Sequence, residues 1–326
     1  MRAVLCKELG GTDKLALSDI PSPAIRPGTV RIAVEAAGVN FADTLIIEGK
    51  YQEKPALPFS PGMEIAGIVA ELGPGSTGVK VGDRVLAYVG YGGFAEEVIV
   101  PVEGVVKLPD RMDFATAAGF PVAYGTSHIS LDYRAHLKKG DTLLVLGASG
   151  GVGLTAVEIG KVLGATVIAV AGGEEKAEIA RRQGADHVID HSKEDLRERV
   201  KALTGDRGVD VVYDPVGGDM FDASLRCVAW EGRMIVIGFA SGKVPQIPAN
   251  YLLVKNFDVI GFHWGAYRTR DPATMSRSLA QLLAWYDEGK LKPHVSHQLP
   301  LAEAGQAIDL LRSRKATGKV VVLTRR

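Results

Sequence analysis

Apolar residues in the first hundred positions fall in short runs. TVRIAVEAAGV, EIAGIVAEL, DRVLAY and FAEEVIV are separated by RPGT, LGPGS and VGDR, where glycine, proline and aspartate favour turns. Short strands at this spacing predict an all-β barrel or sandwich. Near Asp110 the texture changes, and DFATAAGFPVAYGTSHISLDY has the small-residue composition of helix. From Gly140 onward strand-like runs (LLVLG, TVIAVA, HVID, DVVYDP, RMIVIGF, DVIGF) alternate with helical stretches such as EEKAEIARRQG and GDMFDASLRCVAW. Such alternation implies parallel strands joined by right-handed crossovers, a doubly wound α/β sheet with two mononucleotide-binding halves.

After Trp264 come a long helical stretch, SRSLAQLLAWYDEGK, then KPHVSHQLPL, a second helix AEAGQAIDLLRSR and a closing strand KVVVLTR. That last strand is too distant to be the next repeat of the alternating sheet. The tail is expected to fold back on the β-rich N-terminal region.

The first glycine-rich turn of the alternating region carries candidate chemistry. In LLVLGASGGVGLTAVEIG, Gly147, Gly150 and Gly153 follow a strand and open a helix. Glycine permits the tight turn and a close approach of backbone to a pyrophosphate, and the helix N-terminus offers unpaired N–H groups. An adenine ribose with a free 2′-hydroxyl is usually held by an acid ~20 residues further on, at the end of the second strand. Here that end is Ala171, followed by Gly172 and Gly173, with Lys176 one helical turn on. Room without a carboxylate, plus a lysine, favours a 2′-phosphate and hence NADPH over NADH. Glu174 and Glu175 stand at a helix start, where acids suit the dipole.

Charge and composition narrow the class. Among 326 residues, lysine plus arginine and aspartate plus glutamate balance at 38 each, so a nucleic-acid or anionic-membrane footprint is not expected. The two cysteines, Cys6 and Cys227, are too few for a disulfide framework or a multi-cysteine zinc site. The N-terminal run MRAVLCKELGG is broken by Lys7 and Glu8, unlike a signal peptide, and a cytoplasmic protein is the expectation.

The motifs GVNFADTLIIEGKY, PGMEIAGIVAELG, VGDRV, GGFAEE, FPVAYGT, GASGGVG, YDPVGG, GRMIVIGFASG and ATGKV occur in order along nearly the whole chain. In them the chain resembles the zinc-free quinone oxidoreductase branch of the medium-chain dehydrogenase/reductase superfamily. PANYLLVKNFDVIGFHWGAY and SRSL bring it nearer to the quinone oxidoreductase-like proteins of that branch. The resemblance implies a GroES-like β-rich catalytic domain from residues 1–120 and 265–326, and a Rossmann NADP-binding domain over 121–264. It also implies a cofactor cleft where they meet and a homodimer.

Zinc-dependent relatives carry a cysteine and a histidine where this chain has Asn40 and Met63. Met63 does not replace a zinc ligand, and His294 and His297 lack an accompanying cysteine or acid cluster, so no metal is expected. Without a Lewis acid, substrates that are already electrophilic are the sensible choice, quinones first. Reduction of enone or enoyl-CoA double bonds is the alternative, with Arg268 and Arg270 available to a CoA group. A non-catalytic NADPH-binding protein is the remaining reading.

Carried over by resemblance, Asn40 would donate to a carbonyl oxygen gaining charge, Asp43 would orient Asn40 or hold its loop, and Tyr51 would donate a proton or hydrogen bond. Thr126 would lie near the nicotinamide, Gly150, Gly151 and Val152 at the pyrophosphate, Gly173 and Lys176 at the 2′-phosphate, and His191 at the adenosine. Val216, Gly238, Phe239 and Ala240 would flank the nicotinamide half. Phe262, His263 and Trp264 would lie beside the cleft, and Lys319 is a further cofactor candidate.

Overall fold

Thr142–Val145 is buried along its whole length, as a strand covered by helices on both faces must be. In the computed structural model, which describes residues 1–325, it lies inside a parallel sheet. The spatial order is His187–Asp190, Thr166–Ala171, Thr142–Val145, Val209–Asp214, Val228–Val236 and Asp258–Gly261. The third, second and first strands in sequence precede the fourth, fifth and sixth, the doubly wound order expected from the alternation. Leu144, Ile168, Val170, Val212 and Met234 form its core.

Two local readings differ. The stretch GDMFDASLRCVAW is helical only over Gly218–Leu225, and Val228 to Trp230 begin the fifth strand. Val228 pairs with Val209, after which a register shift lets Arg233 rejoin opposite Val211. The irregular residues between them, with Glu231 at φ 55°, hide the strand from a periodicity reading. The helical stretch after Asp110 is split into Phe114–Ala118, Pro121–His128 and a π-helical turn at Ile129–Arg134. Pro121 has no N–H to continue the first helix and suits the start of the second.

The N-terminal residues build an antiparallel sheet around the long strand Thr29–Val39. Glu64–Leu72 pairs with it from Val30 to Gly38 and Glu97–Pro101 from Thr29 to Ala33, and Arg84–Tyr88 and Val105–Lys107 extend the sheet beyond Glu64–Leu72. The closing strand Lys319–Leu323 returns here, antiparallel to Thr29–Val39, and Val295–Pro300 pairs with it. This is the β-rich GroES-like half, completed by the tail as expected.

The described residues form two compact units, Met1–Val122 with the chain from Pro293 onward, and Ala123–Lys292. The chain therefore re-enters the first unit at Pro293, not at residue 265. The helix Pro272–Asp287 buries Met275, Leu279, Leu282 and Leu283. It belongs to the second unit, where Ser278 Oγ lies 2.8 Å from His128 Nδ1. No helix among the described residues is long and apolar enough to cross a membrane.

Candidate functional site

In the first unit the segment after Val39 leaves its strand and starts the helix Phe41–Ile47. Asn40 is the N-cap and Asp43 the third helical residue, a capping box. The Asp43 carboxylate accepts from Asn40 N–H at 2.8 Å and from Gly62 N–H at 3.0 Å. It thus ties this helix to the PGME turn. Asp43 is fully buried, and burial pushes its carboxyl up to about 7 against those two hydrogen bonds. Both of these contacts, to Asn40 and to the PGME turn, are with backbone N–H groups.

The Asn40 side chain faces a buried ion pair. Its Nδ2 donates to Glu64 Oε1 at 2.8 Å, and its Oδ1 accepts from Lys319 Nζ at 2.7 Å. Lys319 Nζ also donates to Glu64 Oε1 at 2.8 Å and to the Val39 carbonyl at 2.9 Å. The second Glu64 oxygen accepts from Val122 N–H at 2.8 Å. Glu64 is 0 % and Lys319 7 % exposed. An ammonium has three donors, and all three of Lys319's have acceptors. This corrects the expectation that Lys319 binds cofactor: no N–H is left for a phosphate.

Gly38 explains how the carboxylate fits, since a Cβ there would lie 2.5 Å from Glu64 Oε1. Met63, the residue before Glu64, is buried. Tyr51 is half-buried, and its phenol is pushed up to about 12, first by burial and then by Glu53 and Asp43. Asn40, Asp43 and Tyr51 are therefore gathered in one neighbourhood. Among the described residues no group of three or more His, Cys, Asp or Glu side chains could hold a metal ion.

In the second unit, Gly150 caps the helix Gly151–Val162 without any side-chain cap bond, and the first N–H groups of a helix have no intrahelical partner. Gly147 has φ 59°, and a Cβ on Gly153 would lie 2.2 Å from the Gly147 carbonyl oxygen. At Gly150 a Cβ would meet only that same oxygen, at 3.4 Å. The turn is tight on its inner side and open at Gly150, whose own N–H turns back to the Gly147 carbonyl at 3.0 Å. That leaves the N–H groups of Gly151 and Val152 at the helix start as the donors that fit a pyrophosphate.

Ser127 ties Thr126's helix to this turn. Its Oγ donates to the Val152 carbonyl at 3.0 Å and lies 3.0 Å from the Tyr213 hydroxyl. Val216 touches the turn as well, its Cγ2 being 3.0 Å from where a Gly147 Cβ would stand. Asp214, which sequence reasoning missed, holds that loop: its Oδ1 accepts from Val216 and Gly217 N–H at 2.7 and 2.9 Å. Burial raises its carboxyl. Ile237, Ala240 and Ser241 N–H donate to the carbonyls of Asp214, Pro215 and Val216, which brings Gly238, Phe239 and Ala240 beside Val216. Phe262 packs on Tyr267 with ring centroids 5.7 Å apart, and His263 is exposed.

Trp264 needs correction. It is buried, and Gly125 exists to admit it, because a Cβ there would lie 2.5 Å from the indole nitrogen. The indole packs on Thr126's helix as core, not as an open cofactor surface.

At the end of Thr166–Ala171 the expected residues do assemble. His191 lies over Gly172, whose Cβ would meet the imidazole at 2.9 Å, while a Cβ on Gly173 would meet nothing within 4 Å. Lys176 follows in the helix Glu174–Arg182, and Glu174 pairs along that helix with Arg181 at 2.6 Å. One strand over, however, stands an acid the sequence reading overlooked. Asp190 pairs in register with Ala171 and accepts from Gly173 N–H at 3.0 Å and from Ser192. Those bonds hold its carboxyl well below the usual range. Gly173's N–H is therefore engaged by Asp190, so Gly173 would offer a 2′-phosphate only the open space beside it. Lys193 Nζ lies 3.7 Å from the second Asp190 oxygen.

Known proteins match this arrangement along the chain. Residues 26–110 match the alcohol dehydrogenase GroES-like domain family, and residues 151–285 match the family described as zinc-binding dehydrogenase. A quinone oxidoreductase-like protein 2 homolog of Nematostella vectensis is 43% identical over 99% of this chain and 89% of its own length. The quinone oxidoreductase-like protein 2 of Bos taurus is 41% identical over 98% of this chain and 92% of its own. The crystal structure of Escherichia coli quinone oxidoreductase complexed with NADPH is 30% identical, with a TM-score of 0.93 over 99% of this chain and 100% of that one. Identity of this order from end to end places the chain in the quinone oxidoreductase-like family of the medium-chain dehydrogenase/reductase superfamily, a family of oxidoreductases.

Proposed function

We propose that this chain is an NADPH-dependent reductase of quinones that works without zinc. The observation that carries the cofactor reading is the end of Thr166–Ala171. Ala171 offers no carboxylate, Gly173 leaves open space, His191 covers Gly172, and Lys176 follows in the next helical turn. Asp190 is engaged by Gly173 and Ser192 and has Lys193 beside it. The donor set of the glycine turn fits a pyrophosphate, and the NADPH complex of the E. coli relative supports the same cofactor.

When bound, NADPH supplies the hydride equivalent for the reduction. The Asn40 amide donates its remaining N–H to the quinone oxygen that gains negative charge. Tyr51 keeps its proton at neutral pH and serves as a second donor. Asp43 holds the Asn40 backbone in place. Asn40 and Met63 occupy the positions that ligate zinc in metal-dependent relatives, and an amide and a thioether are poor zinc donors. The substrate must then bring its own electrophilicity, as a quinone does.

The test is NADPH consumption by the purified protein with an ortho-quinone, a simple enone and a short enoyl-CoA in parallel. Turnover with the quinone is expected. Turnover confined to the enone or the enoyl-CoA would make the chain a double-bond reductase instead.

A further inference from the structure

The proposed duty of Asn40 requires its amide to present N–H, not C=O, to the substrate, and an amide can sit in its cavity either way round. The buried pair on its far side removes that freedom. Lys319 can only donate, and it faces Asn40 Oδ1 at 2.7 Å. Glu64 Oε1 can only accept while ionised, and it faces Nδ2 at 2.8 Å. Turning the amide over would set its oxygen against a carboxylate and its NH₂ against an ammonium, two repulsions in a buried place where charges act strongly.

We infer that Lys319 and Glu64 are positioning residues that lock the orientation of the Asn40 amide, so that its remaining N–H is the only polar group Asn40 can offer a ligand oxygen. The inference rests on the reading that Asn40 contacts substrate. Two further features fix the pair itself. Lys319 is anchored by the Val39 carbonyl at 2.9 Å, and the second Glu64 oxygen by Val122 N–H at 2.8 Å. Gly119 leaves room for the lysine stem, since a Cβ there would lie 3.1 Å from Lys319 Cβ. The lysine comes from the closing strand and the glutamate from Glu64–Leu72, on either side of Thr29–Val39. The returning tail thus supplies a charge to the candidate site as well as a strand to the sheet.

The test uses the full chain and three variants. Lys319→Met alone leaves Glu64 buried without its counter-charge and is expected to fold poorly. The double variant Glu64→Gln/Lys319→Met removes both charges together and keeps comparable volume. It is expected to melt near the parent and to bind NADPH with an affinity within about twofold of it. Its kcat on the quinone should nevertheless fall about tenfold, because the Val122 N–H keeps the oxygen of the new amide at position 64 and turns its NH₂ toward Asn40, so the Asn40 orientation that presents N–H is no longer enforced. In the protein without ligand, the downfield Asn40 side-chain N–H signal produced by the carboxylate should disappear in an NMR spectrum of the double variant. Asn40→Ala is measured alongside. A double variant with parental kcat, when Asn40→Ala has lost turnover, would overturn the positioning role alone. Full turnover by Asn40→Ala would overturn the substrate contact, and the inference with it.

Discussion

Inside the second unit the Tyr124 hydroxyl donates to one oxygen of the buried Glu158 carboxylate, whose other oxygen accepts from Lys292 N–H at 2.6 Å. Tyr124 is the second residue of that unit and Lys292 its last. A single carboxylate on the glycine-turn helix therefore holds both ends of the unit's chain. Tyr124→Phe should cost about 1–3 kcal/mol, the usual penalty for leaving a buried polar group short of a partner. Burial raises the Glu158 carboxyl, and the Tyr124 hydrogen bond works against that rise. Losing the bond harms the ionised form more than the protonated one. The melting-temperature gap between parent and variant should therefore widen as pH rises through the raised Glu158 value; a gap that does not change with pH would mean that Glu158 keeps one protonation state.

Asp43 gives a pH dependence of its own. Its carboxyl is raised to about 7 from an ordinary 3.8, chiefly by burial. For an acid raised on folding, the folded state holds the proton more tightly, so the stabilisation is complete below the unfolded value and is lost as pH rises through the folded one. Between pH 5 and pH 8 the loss amounts to roughly 2–3 kcal/mol. Denaturant titrations of the parent against Asp43→Asn should show the parent losing that much relative to the variant over this interval. Parallel curves would mean that Asp43 stays ionised throughout.

The cofactor end offers a charge test. Lys176→Ala should weaken NADPH binding by about tenfold and NADH binding much less, since a lysine beside a phosphate contributes through charge. Ala171→Asp should shift preference toward NADH by placing a carboxylate at the ribose edge. Fluorescence titration with both nucleotides reads each variant directly. Equal losses for the two nucleotides would remove Lys176 from the 2′-phosphate.

How much of this was legible follows from the range of the contacts. The alternating strands and the GASGGVG turn could be read because each is local: a periodicity, or a glycine whose absent Cβ makes room within a few residues. The return of Lys319–Leu323 was readable too, as a strand with no place in the alternating sheet. The re-entry of the chain at Pro293 was not, because the apolar stripe of Pro272–Asp287 says that the helix packs but not against what. The same holds for single side chains. Ala171 was read on its own strand, whereas the acid that shapes its surroundings is Asp190 on the neighbouring one. Glu64 and Lys319 lie 255 positions apart and meet only through Thr29–Val39. A signal for Glu64 did exist, a carboxylate opening the otherwise apolar run EIAGIVA, since a buried acid requires a partner.

The proposed absence of zinc from catalysis makes the simplest demand. Asn40 is held by Glu64 and Lys319, and Met63 is buried with a thioether where metal-dependent relatives have imidazole. His294 Nε2 lies 3.0 Å from Thr317 Oγ1 and His297 Nδ1 lies 2.9 Å from Ser296 Oγ, so each ring has a protein partner of its own. Exhaustive dialysis against a strong chelator should leave NADPH-dependent quinone turnover within about twofold of the untreated protein, because no step of the proposed chemistry draws on a Lewis acid. Adding zinc back should not raise it. Loss of activity on chelation, restored by zinc, would mean that residues other than Asn40 and Met63 recruit the metal and that the substrate is activated by it.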